Sequence, residues 1–471
     1  MKKINVGFVA GFMDGFSDEG LKKFYGYQKI LKQWSKDLNF KLINYDIVIK
    51  NFEQAATIRE KVKKDDIDFL LLFQPSYIVG DFVYEIMKEA KYIGLWAIEE
   101  TRKSGPMPLA SFVNMEQNAG IAKHNFKGSP KKVKWFFGDI EGKFFKQRFK
   151  ITVKALNAVK NLKNLRVGQI GKLADGHINH MVEPRQLYKN LGVDLKRDYE
   201  IEDIIKLAGE IKDSTVEKEL NSLMKRCTIS RVSKSKVVDS VKMYLAVKKI
   251  CRENDYGAVA FSCWPKLMPL EEMVGCLVNS MLNSAGIVAG CEADVLGTVS
   301  MHILRTISSK EVAIMDLPVF DHDDNSLLLW HCGSAPIEMA NQKGMVCEKH
   351  YFADYDESVE NCGPVTDMVF KPSEVTVFRI CGESNCFYYF TGKLKDTNKP
   401  SFNGSRGWVF DTKLYNKPAE VMDIANTLLL GGLPHHFPIV LEDIAKYIEE
   451  FAYWAGLSKI RRYDYKDYLY V

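Results

Sequence analysis

The sequence predicts an α/β protein: two open, Rossmann-like parallel-sheet domains followed by a β-rich, barrel-like C-terminal domain with terminal helices. Three observations carry this expectation. Short apolar strands alternate with amphipathic helices from Lys3 to about Leu165, the alternation restarts there, and beyond Tyr351 the pattern changes to consecutive strands. A chain of 471 residues exceeds one ordinary core, so domains of roughly 100 to 200 residues are expected. Their boundaries are placed at 1–164, 165–351 and 352–471.

In the first region INVGFVAG, FKLINYDIVI, DFLLLFQP and YIGLWAIE read as strands, and LKKFYGYQKILKQW, FEQAATIREKVKK and FVYEIMKEA as the helices between them. Such βαβ units build a parallel sheet whose ligands gather at the carboxyl ends of the strands, where Gln74, Pro75, Glu99 and Glu100 fall. The glycines of GFVAGFMDGF do not fit GxGxxG, which speaks against a dinucleotide site. LRVGQIGKLADG opens the second region, which continues through the strand YGAVAFSCW and the helix EEMVGCLVNSMLNSAG; the basic stretch SRVSKSKVVDSVK reads as a solvated helix start or loop. In the third region VTDMVFKPSEVTVFRI, NCFYYFTGKLK and RGWVFDTKLY read as antiparallel strands with turns at Pro372, Gly382 and Asn398. Helical segments at 419–430 and 444–456 close the chain.

Composition narrows the class. Hydrophobic residues make up 46% and charged residues 27%, as in an ordinary globular protein. The net charge of +5 arises from 65 basic and 60 acidic residues spread along the chain, so no nucleic-acid arm stands out. No run approaches the roughly 18 consecutive apolar residues of a membrane span. The N-terminal MKKINVGFVAGFMDG reads as a first strand rather than a signal peptide, its apolar run being broken by glycines and an aspartate. Ten cysteines, all beyond residue 226 and without a CxxC, suit buried free thiols in a reducing compartment, and a cytoplasmic location is expected.

The chemistry concentrates in one stretch, CEADVLGTVSMHILRTISSKEVAIMDLPVFDHDDNSLLLWHCGSAP, residues 291–336. Glu292, Asp316 and His331 are expected on short turns around an apolar helix and two buried strands. Two carboxylates and an imidazole are ligands that Mn²⁺, Mg²⁺, Co²⁺ or Zn²⁺ accept. Downstream, LLLGGLPHHFPIVLED sets His435 and His436 on a glycine-positioned loop. The plainer readings are helix N-caps for the carboxylates and structural roles for the histidines. Asp294 reads equally as a helix cap and as a group orienting Glu292. His302 reads as a core residue, and Asp321 to Asp324 as a solvated turn. His177 and His180 fall at the end of a strand of the second region, which leaves open a rim position near a ligand that nothing else in the sequence supports.

Four segments in order, GCEADVLGTVSMHIL, VAIMDLPVFD, LWHCGSAP and GLPHHFPIV, resemble the L-fucose isomerase and L-arabinose isomerase group of aldose–ketose isomerases, and the likeness covers most of the chain. The resemblance implies a divalent cation, Mn²⁺ with Mg²⁺ or Co²⁺ as alternatives, and an aldose substrate such as L-fucose or D- or L-arabinose. It makes Glu292 and Asp316 both ligands and the catalytic pair, with His436 or His435 as the late histidine ligand. His331 matches a ligand of the arabinose branch and is also expected near the sugar. Trp96, in GLWAIEETRKSGPMPLA, matches a tryptophan lining the sugar site of a neighbouring subunit, and Trp264 is a further expected sugar contact. A homo-oligomer, a hexamer by resemblance, with sites at subunit boundaries is implied, and no nucleic-acid or membrane partner. Two alternatives stay open: an isomerase of a sulfonated hexose, for which Lys266 in SCWPKL is a candidate cation, and a non-catalytic sugar-binding protein on the same fold. The reaction itself would move a proton between C2 and C1 through a cis-enediol, which asks for a placed base and acid and for positive charge near two oxygens.

Overall fold

The computed structural model describes residues 2–264 and 266–468. The chain divides into two compact units, residues 1–160 and 161–471.

The first unit is built on a five-stranded, all-parallel sheet in the order Lys41–Ile49, Asn5–Gly11, Phe69–Gln74, Tyr92–Ala97, Val133–Phe137. Phe69–Gln74 is buried along its whole length, as expected of a central parallel strand covered on both faces and written as an unbroken apolar run. The helices Phe24–Asp37, Phe52–Lys64, Gly80–Met87 and Ser111–His124 supply that cover.

The second unit combines two architectures. A four-stranded parallel sheet runs in the order Val288–Cys291, Ala258–Phe261, Arg166–Ile170, Asp194–Tyr199. Beside it, Ser373–Cys381, Phe437–Val440, Val312–Asp321, Ser326–His331, Ser405–Leu414 and Cys386–Leu394 pair antiparallel, each with the next and the last with the first. The ring closes into a barrel and so leaves those strands no free edge. Val365–Val369, Met345–Glu348 and Cys227–Ile229 extend the sheet outward from the Ser405–Leu414 strand. The helices Val421–Leu430 and Ala445–Ala455 flank Phe437–Val440 in sequence.

Two strands lie elsewhere than their sequence neighbours suggest. Val312–Asp321 and Ser326–His331, grouped by sequence with the second α/β region, are staves of the barrel, held by ladders to Phe437–Val440 and Ser405–Leu414. Asp316, expected on a turn, is inside a strand. The register slips between Asp316 and Val319, where Pro318 brings no N–H to the ladder, and the resulting bulge re-aims the local side chains.

The helix Val295–Ser308 passes close over the strand Val288–Cys291 because Gly290 lacks a side chain: a Cβ there would stand 2.1 Å from Thr298 Oγ1. Gly290→Ala should therefore lower the unfolding free energy by about 1–3 kcal/mol in urea titrations. Gly209→Ala, where a Cβ would meet nothing within 4 Å, should stay within about 0.5 kcal/mol of the parent.

Candidate active site

The parallel sheet delivers the first carboxylate at its edge. Strand Val288–Cys291 gives way to Glu292 and Ala293 with φ of 55° and 56°, two successive left-handed residues that carry side chains. Such conformations cost on the order of 1–3 kcal/mol each and collect at functional sites. Asp294 then caps the helix, its Oδ1 accepting the Gly297 N–H at 2.9 Å. A Cβ on Gly297 would sit 2.4 Å from Asp294 Oδ2, so the tight turn into the helix requires glycine there.

The barrel delivers the rest by register. The ladder between Val312–Asp321 and Phe437–Val440 ends at Met315 with Phe437, and one further step sets Asp316 alongside His436. On the other side Asp316 pairs with Trp330, the residue before His331. One barrel strand thus holds a carboxylate between two imidazole-bearing neighbours.

A buried ion pair locks the two sources together. Arg379, on Ser373–Cys381, donates from Nη1 to Asp294 Oδ2 at 2.7 Å and from Nη2 to Asp294 Oδ1 at 3.1 Å, and both side chains are fully buried. The same Nη1 donates to the His436 carbonyl at 2.7 Å. Asp294 Oδ2 also accepts from His436 Nδ1 at 3.1 Å, which leaves His436 Nε2 facing Glu292 Oε2 at 3.4 Å. A carboxylate behind an imidazole in this way fixes ring orientation and makes the outer nitrogen a better ligand.

The atoms that face inward are unsatisfied. Glu292 Oε2, Asp316 Oδ1, His436 Nε2 and both ring nitrogens of His331 are buried without a hydrogen-bond partner. Each such group costs about 1–3 kcal/mol unless something uses it. Single ligand atoms of Asp316, His331 and His436 lie within 4.8 Å of one another, as do those of Cys291, Glu292 and His331. Burial favours a protonated Glu292, but His436 and His331 beside it outweigh burial and hold its carboxyl at about 2. Burial pushes Asp316 up to about 6. Burial also opposes charge on the imidazoles, yet Asp294 and Glu292 carry His436 up to about 10, and Cys332 and Asp316 carry His331 up to about 9. Carboxylates that draw protons onto buried imidazoles mark a place where positive charge is favoured, and a divalent cation answers the same demand by displacing those protons. The donor set fits such a cation.

The cluster opens into a cleft of about 270 Å³ lined by Glu292, Asp316, Trp264, Trp330, Tyr351 and His435 among others. Trp264 is in that wall. His435 is half-exposed, 4.0 Å from Glu292 Oε2, whereas His436 is buried at the centre. Trp96 is not a surface for sugar: it is fully buried in the first unit, packed 4.6 Å from Phe73 and 4.8 Å from Tyr27, with Nε1 donating to the Gly138 carbonyl. Its apolar strand neighbours and its occupied N–H make it core. Lys266 is exposed and paired with Glu202 at 2.5 Å, outside the cleft lining.

Sequence reasoning left two participants, His177 and His180, without support and passed over a third, Arg379. His177 Nδ1 lies 3.3 Å from Glu292 Oε2, and His180 Nε2 lies 3.7 Å from Asp294 Oδ2, where burial lowers the His180 imidazole to about 3. Arg379 carried the one legible signal, a charge inside the apolar strand run VTVFRI. Asp294 turns out to orient His436 as well as to cap the helix.

No family model matches the chain. It is similar to proteins named sulfoquinovose isomerase from Priestia aryabhattai and Priestia megaterium, each 22% identical over 440 residues covering 92% of this chain and 94% of the relative. A third of that name, from Alkalicoccus urumqiensis, is 22% identical over 360 residues, 76% of this chain and 77% of the relative. Among solved structures, a periplasmic solute binding protein from Actinobacillus succinogenes with bound D-allose is 12% identical over 66% of this chain and 93% of that one, at a TM-score of 0.18 that supports no argument.

Removing one partner of the buried pair should be costly. Arg379→Met and Asp294→Asn are each expected to lower stability by about 3–5 kcal/mol, because each strands a desolvated group. The double variant should lose clearly less than the sum, read as a coupling energy in a denaturation cycle.

Proposed function

We propose that this chain, an isomerase that exchanges an aldose with its ketose, carries out the exchange in the cleft between Glu292, Asp316 and Trp264, with a divalent cation held by Glu292, Asp316, His331 and His436. The gathering of buried oxygen and nitrogen atoms without hydrogen-bond partners beside a cleft carries the reading: ligand atoms of Asp316, His331 and His436 lie within 4.8 Å of one another, and Glu292 Oε2 lies 3.4 Å from His436 Nε2. The oxygen- and imidazole-rich donors favour Mn²⁺, with Mg²⁺ or Co²⁺ as substitutes.

A divalent cation held by Glu292, Asp316, His331 and His436 would supply positive charge where negative charge grows on the sugar oxygens as the carbon acid ionises. The chain's own residues do the rest. Of Glu292 and Asp316, one carboxylate takes the proton from C2 and returns it to C1 of the planar cis-enediol, while the other, in its protonated form, gives its proton to O1 and recovers one from O2, one carboxyl at each side. Both stand near the imidazoles but their environments differ: His436 and His331 hold the Glu292 carboxyl at about 2, whereas burial pushes Asp316 up to about 6, as an acid and base pair requires. Asp294, anchored by Arg379, keeps the His436 ring from turning. Trp264, Trp330 and Tyr351 line the remaining walls and shield the enediol from water.

Two observations point to different sugars. The relatives' name favours a sulfonated hexose, sulfoquinovose. The residues lining the cleft offer His177, His350 and His435 but no lysine or arginine, which favours an uncharged aldose such as L-fucose or D- or L-arabinose. A cytoplasmic homo-oligomer, a hexamer with sites completed at subunit boundaries, belongs to the same proposal; among the described residues no helix is long and apolar enough to cross a membrane.

A panel of both sugar classes with Mn²⁺, followed by exchange of the C2 proton with solvent deuterium, tests the reading; silence on every sugar would refute it. Glu292→Gln and Asp316→Asn should each lower turnover by about a hundred- to ten-thousand-fold with unchanged circular dichroism. Dialysis against a chelator should abolish exchange and Mn²⁺ should restore it.

A further inference from the structure

Cys291 has no part in the proposed reaction, yet it occupies a position a metal could use. It ends the strand directly before Glu292, is 2% exposed, and lines the same cleft. Its Sγ, a Glu292 carboxylate oxygen and a His331 ring nitrogen all lie within 4.8 Å of one another. His331 is simultaneously within that distance of Asp316 and His436. The His331 ring is 1% exposed with neither nitrogen hydrogen-bonded, and Glu292 Oε2, which faces His177 Nδ1 at 3.3 Å and His436 Nε2 at 3.4 Å, makes no hydrogen bond either, so both groups can turn to either set.

The two sets differ in chemical character. Asp316 and His436 add oxygen and nitrogen, which suit Mn²⁺ or Mg²⁺; Cys291 adds a thiolate, which suits Zn²⁺ and other thiophilic ions. Three protein ligands of the Cys, Glu and His kind with a fourth position open to water make an ordinary four-coordinate zinc site.

We propose that the cleft holds metals in two mutually exclusive modes: a hard-cation mode through Glu292, Asp316, His331 and His436, and a thiophilic mode in which Zn²⁺ binds Cys291, Glu292 and His331. Zinc binding releases the Cys291 thiol proton to solvent and involves no change of oxidation state. Because Glu292 and His331 serve both modes, Zn²⁺ excludes Mn²⁺ and ties up a carboxylate needed for proton transfer. The site is thereby an inhibitory sensor for thiophilic metals as well as a catalytic centre.

The test is X-ray absorption at the zinc edge on the full-length protein, stripped of metal and loaded with one equivalent of Zn²⁺. A sulfur shell at about 2.3 Å is expected in the wild type. It should vanish in Cys291→Ser and persist in Cys263→Ser, whose thiol lines the same cleft. A wild-type spectrum with oxygen and nitrogen neighbours alone overturns the proposal without recourse to any variant, and so does a sulfur shell that survives in folded Cys291→Ser. In a second measurement, Zn²⁺ added to the Mn²⁺-loaded protein should release Mn²⁺ one for one, seen as the paramagnetic resonance signal of the free ion; simultaneous retention of both overturns it. The inference rests on the metal site of the proposed function and not on the sugar reaction: a protein that shows the sulfur shell but isomerises no sugar fails that reading and leaves this one standing.

Discussion

The site depends on the ion pair between Asp294 and Arg379. Two fully desolvated charges would each cost several kcal/mol alone, and only close, directional pairing makes their burial tolerable. Asp294 achieves it with four donors: two from the Arg379 guanidinium, one from the Gly297 backbone and one from His436. A lysine could not replace Arg379, since a point charge cannot bridge both carboxylate oxygens and the His436 carbonyl from one planar fork. The pair thus fastens the edge of the parallel sheet to the wall of the barrel at the point where the donors must meet.

From that anchor the division of labour follows. The parallel sheet presents Glu292 at the carboxyl end of a strand, where such sheets leave room for ligands. The barrel presents Asp316 and His331 from neighbouring staves and His436 from the residue just before a third, so their spacing follows the ladder. The cost of this arrangement is visible: two left-handed residues in succession and five buried polar atoms with nothing to bind. A fold retains such features where they are used.

Much of the site was legible in the sequence because its residue types are out of place there. Carboxylates and histidines bordering apolar runs drew attention to Glu292, Asp316, His331, His435 and His436; Glu292, Asp316 and His435 line one cleft, and His331 and His436 are buried beside Asp316. Trp96 shows the opposite failure. A tryptophan at the end of an apolar strand reads the same whether it faces a ligand or the core, and only packing distinguishes them. His177 and His180 were undervalued because a strand end has no fixed neighbour until the chain has folded.

The sequence by itself determined the periodicities that name strands and helices, the class of the fold, and the small set of side chains able to bind a cation. Only the tertiary structure decided which of them meet. It moved Val312–Asp321 and Ser326–His331 into the barrel, put Asp316 at a bulge between two imidazole-bearing strands, and paired Asp294 with an arginine 85 residues away. The physical reason is that periodicity reports which face of a segment is buried, a local property, whereas ladder register and ion pairing join segments distant in the chain and leave no local trace.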